Sequence, residues 1–391
     1  MNRSNVNRRR FLRDAATTAA GMSLLSGFSE KAFASEKFRE VNADKAAEHR
    51  WDEPRIKFSV IGINHAHIYS QVEAVIRGGG QLVSLYAKEQ DLVAVFTKRY
   101  PQVKLAKSED EILNDKTIQL ILSSAIPIDR AGIGIRAMQH GKDYMVDKPG
   151  IITLEQLEEV RRVQKQTGRI YSIMYSERFE NKATTKAGDL VKAGAIGKVI
   201  QTVIMAPHRI SLTTRPAWFF DKKNFGGILT DIGSHQFDQF LFFTGSDQAD
   251  ILASQVGNVA HPKYPAFEDF GDVMLRGNGG AGYIRVDWFT PDGLNTWGDG
   301  RLTILGTEGY IEVRKNTDIA VHEGANHLYL VNNKETQYMN CNNVELPYGR
   351  LLVDDIINRT ETAMTQKHCF YATELALKAQ KAAQKLNYKK A

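Results

Sequence analysis

From residue 55 to residue 176, short runs rich in β-branched residues alternate with helical spacings, and that alternation restricts the fold more than any other feature. Ile56–Ile61 reads as a buried strand, Ile68–Arg77 as an amphipathic helix and Leu82–Tyr86 as the next strand, with a helix following through Phe96 and Tyr100. Ile118–Leu122, Ala131–His140, Tyr144–Val146, Leu154–Thr167 and Ile170–Met174 continue the series. Strands buried on both faces read as near-continuous apolar runs, and repeated β-α units close into a parallel sheet covered by helices. The expected fold is therefore α/β: a Rossmann-like, doubly wound parallel sheet over residues 55–176.

Beyond residue 177 the pattern changes. A helix around Thr185–Ala193 precedes a strand at Val199–Met205, and Ile228–Thr244 has helical spacing. Strand signals then crowd together at Ala249–Val256, Gly271–Leu275, Gly282–Phe289, Arg301–Leu305, Tyr310–Arg314 and Ile319–His322. Successive strands with few helices between them predict a large, mostly antiparallel sheet. Residues 177–391 are thus expected to form an α+β domain, closed by a helix over Tyr371–Leu386. Residues 35–54 read as a lead-in segment.

The first residues carry an address. Arg8-Arg9-Arg10-Phe11-Leu12-Arg13, the apolar stretch Ala15–Phe28 and Ala32-Phe33-Ala34 give a charged start, a short apolar run and a small-residue cleavage site. That is the pattern of a secretory signal, too short for a membrane span. The paired arginines followed by Phe-Leu resemble a twin-arginine signal peptide, so residues 1–34 predict export of a folded protein to the periplasm or another extracytoplasmic space, with no membrane span after processing. This segment holds six basic and two acidic residues, most of the net charge of +6. The rest shows no basic stripe interleaved with aromatics, so nucleic acid is not expected as a partner. Cys341 and Cys369 show no metal-ligand spacing, and two separate structural thiols are expected rather than a disulfide, although spacing alone leaves their pairing open.

The first strand runs into Gly62-Ile63-Asn64-His65-Ala66-His67. A dinucleotide turn wants glycines at its first, third and sixth positions, so that the backbone turns tightly and the pyrophosphate reaches the helix N-terminus. Here Gly62 is retained, Asn64 takes the second place and His67 the third, with His65 between them. At the end of the second strand, Ala87 stands where an acid would hold the adenosine ribose. Lys88 could attract a 2′-phosphate and Glu89 could reach the ribose, so NAD and NADP both stay open. His65-x-His67 also has the spacing of metal ligands at the start of an amidohydrolase barrel, an alternative that needs further strand-end ligands. No metal is expected.

The strand at Tyr144–Val146 delivers Tyr144-Met145-Val146-Asp147-Lys148-Pro149, and Gly226-Gly227-Ile228-Leu229-Thr230-Asp231-Ile232-Gly233-Ser234-His235 follows later. With Leu302-Thr303-Ile304-Leu305-Gly306-Thr307-Glu308-Gly309, these segments resemble, in order, the Glu-Lys-Pro motif, the Asp-x-x-x-His helix and the late sheet strand of the Gfo/Idh/MocA oxidoreductases. The resemblance implies hydride transfer between tightly bound NAD or NADP and a small carbohydrate substrate. It places Lys148 and His235 around the reacting hydroxyl, His235 as general base and Lys148 polarising the oxygen, with Asp231 orienting the site. Asp231 and His235 are four apart, which on one helix would set the carboxylate beside the imidazole and favour its protonated form.

The resemblance further implies that Pro127 lies beside the cofactor and that Asp147, one methylene shorter than the usual Glu, stands at a cofactor contact. Ala131 lies near the place of the family's usual histidine. Arg178, with Phe179 behind it, and His208, Arg209, Arg215 and Trp218 are substrate-side candidates. The family's open sheet face implies a homodimer or homotetramer. A glycosidase using NAD for transient oxidation and elimination is an alternative on the same fold. A sugar- or nucleotide-binding protein without chemistry is another, motivated by the reduced glycine turn.

Overall fold

The computed structural model of the chain describes residues 39–42 and 51–386; the expected signal over residues 1–34 lies outside them. A first sheet contains β2 (Ile56–Ile61), β3 (Gly80–Tyr86), β4 (Lys104–Leu105), β5 (Leu120–Ser123), β6 (Asp143–Asp147) and β7 (Tyr171–Met174). All are parallel, in the order β4-β3-β2-β5-β6-β7. The chain therefore leaves β2 in one direction and returns past it to β5, which opens a crevice at the carboxyl ends of those two strands. Strands β5, β6 and β7 are buried on both faces, which is why their sequences read as continuous apolar runs.

The connecting helices are α1 (His67–Arg77), α2 (Gln90–Arg99), α3 (Glu109–Asn114), α4 (Pro127–Gln139) and α5 (Leu154–Thr167). Local chemistry sets their ends. Thr153 Oγ1 accepts from the Gln156 N–H at 3.1 Å while Gln156 Oε1 accepts from the Ile152 N–H at 2.9 Å, so donors left over at the start of α5 are satisfied. Gly168, in the left-handed region, ends that helix.

After α6 (Ser176–Phe179) and α7 (Lys182–Lys192), the second sheet begins with β8 (Val199–Pro207). Its other strands are β9 (Ala249–Gly257), β10 (Phe270–Gly277), β11 (Ala281–Asp287), β12 (Arg301–Gly306), β13 (Gly309–Arg314), β14 (His327–Asn332), β15 (Thr336–Asn340) and β16 (Gln384–Lys385). With β1 (Arg39–Asn42) the order is β1-β15-β14-β13-β12-β8-β11-β10-β9-β16. Most pairings are antiparallel; β8 with β11 and β9 with β16 are parallel. Side chains such as Ile204, Leu275, Ile284 and Leu302 are buried on one face, while Met274, Leu305 and Tyr310 stay exposed on the other. The helices α8 (Lys222–Phe225), α9 (Ile228–Asp231), α10 (Gly233–Thr244), α11 (Tyr348–Asn358) and α12 (Gln366–Ala382) complete the chain.

Helix α12 ties the two sheets together. Gln366 Oε1 accepts from the Tyr171 N–H of β7 at 2.9 Å, and Ser254 Oγ of β9 donates to the Ala379 carbonyl at 2.9 Å. The helix starts before the expected Tyr371 and stops before Leu386, because the chain turns extended at Ala383 and Gln384–Lys385 pairs with β9. The expected strand at Ile319–His322 is a turn instead. Asp318 accepts from the N–H groups of Ala320 and His322 at 2.9 and 3.2 Å, and this side-chain capping competes with a ladder. Cys341 and Cys369 are both free and buried, in separate parts of the core.

Candidate active site

The tip of β6 carries Asp147, Lys148 and Pro149, the last two joined by a cis peptide bond. Asp147 is a node. Its Oδ2 lies 2.7 Å from His65 Nδ1 and accepts from Arg130 Nη2 at 3.0 Å, and its Oδ1 lies 2.8 Å from His67 Nδ1. Burial alone would raise this carboxyl, but Arg130, His67 and His65 outweigh it and hold it well below the usual carboxylate range. An ionised carboxylate only accepts hydrogen bonds, so each imidazole donates from Nδ1 and presents Nε2 outward. Arg130 also donates to the carbonyls of Ala125, Asp147, Lys148 and Pro149, clamping the strand end. The phosphate turn is thus held by a carboxylate and two imidazoles where the pattern would have glycines.

Gly62 itself is required. It sits at φ +80°, and a Cβ there would lie 2.6 Å from the Ala125 Cβ. A cavity of about 730 Å³ opens beside it, at the carboxyl ends of β2, β3 and β5, lined by Gly62, Asn64, Ala87, Lys88 and Glu89 among others. A second cavity of about 650 Å³ lies on the other side of the same turn, lined by His65, His67, Pro127, Lys148, Asp231 and His235. Every residue proposed from sequence to touch the cofactor lines one cavity or the other, except Asp147, which acts by holding the turn. A strand-end glycine that admits no side chain, a helix start behind it and two cavities flanking the turn fit an extended dinucleotide.

Asp231 reaches this cleft from the second domain. Gly226 and Gly227 sit at φ +87° and +100°, and a Cβ on Gly227 would fall 2.4 Å from the Gln380 side chain. Directly after them, Glu268 accepts from the Ile228 N–H at 3.0 Å and Gln380 from the Leu229 N–H at 2.9 Å, which anchors the start of α9. At its end, Asp231 Oδ1 accepts from Lys148 Nζ at 2.9 Å. Burial would raise Asp231, yet Lys148 keeps it below its ordinary value.

The expected Asp231–His235 partnership is not what forms. The helix is interrupted at Ile232, Asp231 is taken by Lys148, and the carboxylate that acts on His235 is Glu177. Burial pushes His235 down to about 3, outweighing Glu177, so the ring is neutral and not protonated. Its Nδ1 is buried without a hydrogen-bond partner.

Glu177 is a cleft residue that sequence reasoning missed. Its Oε2 accepts from Lys315 Nζ at 2.7 Å and from Gln236 Nε2 at 2.8 Å, while Oε1 is buried and unpartnered. His208 Nε2 lies 4.0 Å from that free oxygen. Burial would raise Glu177, but the Lys315 ammonium bonded to it holds it ionised, and burial pushes His208 down to about 4. The only available signal was its place directly after β7, where open sheets present ligand contacts.

The wall of the cleft is aromatic. Trp218, Trp288 and Trp297, three of the chain's four tryptophans, line it together with Phe219, Arg209 and Arg215. The His208 ring meets Trp297 edge-on at 4.6 Å between centroids. Arg178 does not belong here. It is buried in a two-point ion pair with Asp238, at 2.7 and 2.6 Å, and lies over the Phe179 and Phe242 rings; Phe179 stacks on Tyr348. The Arg-Phe pair after β7 is packing, because the turn of α6 aims Glu177 and not Arg178 at the cleft. The amidohydrolase alternative also falls: the sheet is open, and the His65–His67 pair converges on a carboxylate already held by Arg130.

Residues 56–175 match the oxidoreductase family with an NAD-binding Rossmann fold, and residues 184–312 match the Gfo/Idh/MocA C-terminal domain. The scyllo-inositol 2-dehydrogenase (NAD(+)) of Bacillus subtilis (strain 168) is 28% identical over 212 residues, 52% of this chain and 58% of that protein. The scyllo-inositol 2-dehydrogenase (NADP(+)) IolW of the same organism is 25% identical over 150 residues, 38% and 41% of the two chains. The matched stretch spans about half the length of these curated relatives. A crystal structure from Erwinia carotovora atroseptica SCRI1043, described only by the class oxidoreductase, shares 46% identity with a TM-score of 0.82, over 85% of this chain and all of that one. The chain belongs to the Gfo/Idh/MocA family of nicotinamide-dependent oxidoreductases.

Proposed function

We propose that the chain is an NAD(P)-dependent dehydrogenase that oxidises a hydroxyl of a sugar, glycoside or cyclic polyol, with Lys148, Asp231 and His235 as its catalytic residues. One observation carries this reading: the Lys148–Asp231 pair lies in the same cleft as a neutral His235, beneath a wall of tryptophans. The nicotinamide, when bound, supplies the acceptor for the hydride leaving the alcohol carbon. Lys148 Nζ hydrogen-bonds the reacting oxygen, and Asp231 keeps that ammonium aimed. A neutral imidazole takes the hydroxyl proton: burial leaves His235 unprotonated before that step, and the cost of charging a buried ring has to be met by a neighbouring anion. Glu177, ionised beside it, stabilises the imidazolium that results. Indole faces suit the apolar face of a sugar ring, while the unpartnered Oε1 of Glu177 and Nδ1 of His235 await hydroxyl groups.

Gly62, Asn64, His65, His67, Ala87, Lys88, Glu89, Pro127 and Lys148 are the residues that would hold the dinucleotide. NAD and NADP both appear in the names of relatives, and the cavity edge at Ala87-Lys88-Glu89 offers a cation and an acid. The test is oxidation of a panel of sugars and polyols by purified protein, followed by NAD(P)H absorbance, with mass spectrometry of the denatured protein to read any retained cofactor. Failure to turn over any polyol with either cofactor argues against the reading. Aglycone release with no net change in cofactor redox state assigns glycosidase chemistry instead.

Two further expectations belong to this reading. Export rests on Arg8-Arg9-Arg10-Phe11-Leu12 and on Ala32-Phe33-Ala34; cell fractionation with the arginine pair replaced by lysines reads it. A prefolded, exported enzyme would keep its nicotinamide tightly bound. Assembly into a homodimer or homotetramer is supported by the apolar side chains Met274, Leu305 and Tyr310, exposed on the second sheet, and light scattering measures it.

A further inference from the structure

We propose that the substrate carries a carboxylate, as an aldonate or uronate does, and that the Arg215 guanidinium receives it. The proposal rests on the hydroxyl-oxidising reading above and adds the charge of the substrate to it.

A count of charges in the cleft leads there. Lys148 faces Asp231 at 2.9 Å, Lys315 faces Glu177 at 2.7 Å and Arg130 faces Asp147 at 3.0 Å. Glu180, the remaining acid on the cleft wall, is held by Arg77 at 2.6 Å. Arg209 lies 3.7 Å from Asp292, which is fully solvated, and its Nη2 donates to the carbonyls of Pro291 and Leu294. Among the described residues, Arg215 alone of the cleft cations has no ion-pair partner. Its Nε donates to the Ile210 carbonyl at 2.9 Å and its Nη2 reaches the Arg209 carbonyl at 3.5 Å.

The setting makes that charge useful. The Arg215 guanidinium lies 4.3 Å over the Phe219 ring and 5.0 Å from the Trp288 centroid. Burial lowers its proton affinity, and the acid that opposes this, Asp231, is already bonded to Lys148. A guanidinium stays charged at any working pH, so a partly desolvated one gains most from an anion. Two rings fix the plane of the fork, and a fixed fork matches the two oxygens of a carboxylate. One uncompensated cation fits a single negative charge better than a doubly charged phosphate ester. The carboxylate takes no part in bond making or breaking; it orients the sugar so that one hydroxyl meets Lys148.

The experiment uses the cofactor-loaded protein and paired probes: D-glucose with D-gluconate and D-glucuronate, plus D-glucose 6-phosphate. Oxidation rates give kcat/KM, and calorimetric titration gives Kd independently of turnover. The expected result is an acid favoured over its neutral counterpart by about tenfold or more, equivalent to about 1.4 kcal/mol. That preference collapses in Arg215→Gln, survives in part in Arg215→Lys, and weakens as salt rises. Equal affinity for acid and neutral sugar, binding of none of the probes, preference for the phosphate, or an unchanged ratio in Arg215→Gln each overturns the proposal. Should Arg215→Gln fail to fold, the lysine variant and the salt dependence decide. If no probe is oxidised but the acids bind preferentially, hydride transfer fails as a reading while the anion subsite stands.

Discussion

Lys148 and Asp231, 83 residues apart in the chain, meet through a single 2.9 Å hydrogen bond inside the cleft. One comes from the tip of a parallel strand, the other from a helix that follows a pair of glycines. The pair exists only when both domains are folded against each other, which makes it a sensitive point for substitution.

Replacing Lys148 with Ala leaves Asp231 buried without its cation and, on the proposed function, removes the donor to the reacting oxygen. Turnover is expected to drop by roughly 10²- to 10⁴-fold, the range for a positioned acid–base group, while circular dichroism stays native. Near-normal kcat would rule out the assignment.

Glu177→Gln keeps the shape of the side chain and removes its charge. Lys315 then has no buried anion, and the imidazolium of His235 loses its stabiliser. We expect kcat to fall more than KM rises, together with a loss of stability of about 3 kcal/mol or more from the broken buried pair. Unchanged kcat at all pH values would reduce Glu177 to a structural support for Lys315.

Stability should depend on pH in a definite window. Burial holds His235 near 3 and His208 and His65 near 4 in the folded protein. An unfolded chain protonates them near the ordinary value of about 6.5, so below that pH it binds protons the folded state refuses. Stability is expected to fall as pH drops from about 6.5 toward 4, and to be insensitive to these groups above neutrality. The depressed carboxylates Asp147, Asp231 and Glu177 remain ionised through that window and fail only at lower pH. Urea midpoints that are equal at pH 7.5 and pH 5 would contradict this.

Arg178→Ala separates packing from binding. The substitution leaves buried Asp238 with His368, 2.8 Å away, in place of its two-point arginine partner, and should cost about 3 kcal/mol of stability. Its effect on KM at low temperature should be small, because Arg178 does not line the cleft. A selective rise in KM with normal stability would return Arg178 to the substrate side.

Much of this architecture was legible in the sequence, for identifiable reasons. Buried parallel strands announce themselves as apolar runs, so the first sheet was readable from Ile56 to Met174. Motif order picked out Lys148, Asp231 and His235 where single motifs are weak, and all three line the same cleft. Partnership was not. Helical spacing paired Asp231 with His235, whereas three-dimensional proximity gave Asp231 to Lys148 and set Glu177 to work on His235. Arg178 and Glu177 are adjacent in sequence, and only the turn of α6 decides which one faces the cleft. Strand Ile319–His322 failed because the Asp318 side chain competes with the ladder, a contest that period alone cannot score.

The knot around Asp147 bears on any attempt to improve the enzyme by consensus. Writing glycine at positions 64 and 67 would restore the familiar fingerprint on paper. It would also strip His67 from a buried carboxylate, leaving Arg130, His65 and Ser124 to hold it and loosening the turn it anchors. In this chain the departure from the common pattern and the Asp147 network depend on each other. Reverting one alone is a loss, and a successful graft of the standard turn has to redesign Asp147, His65 and His67 together.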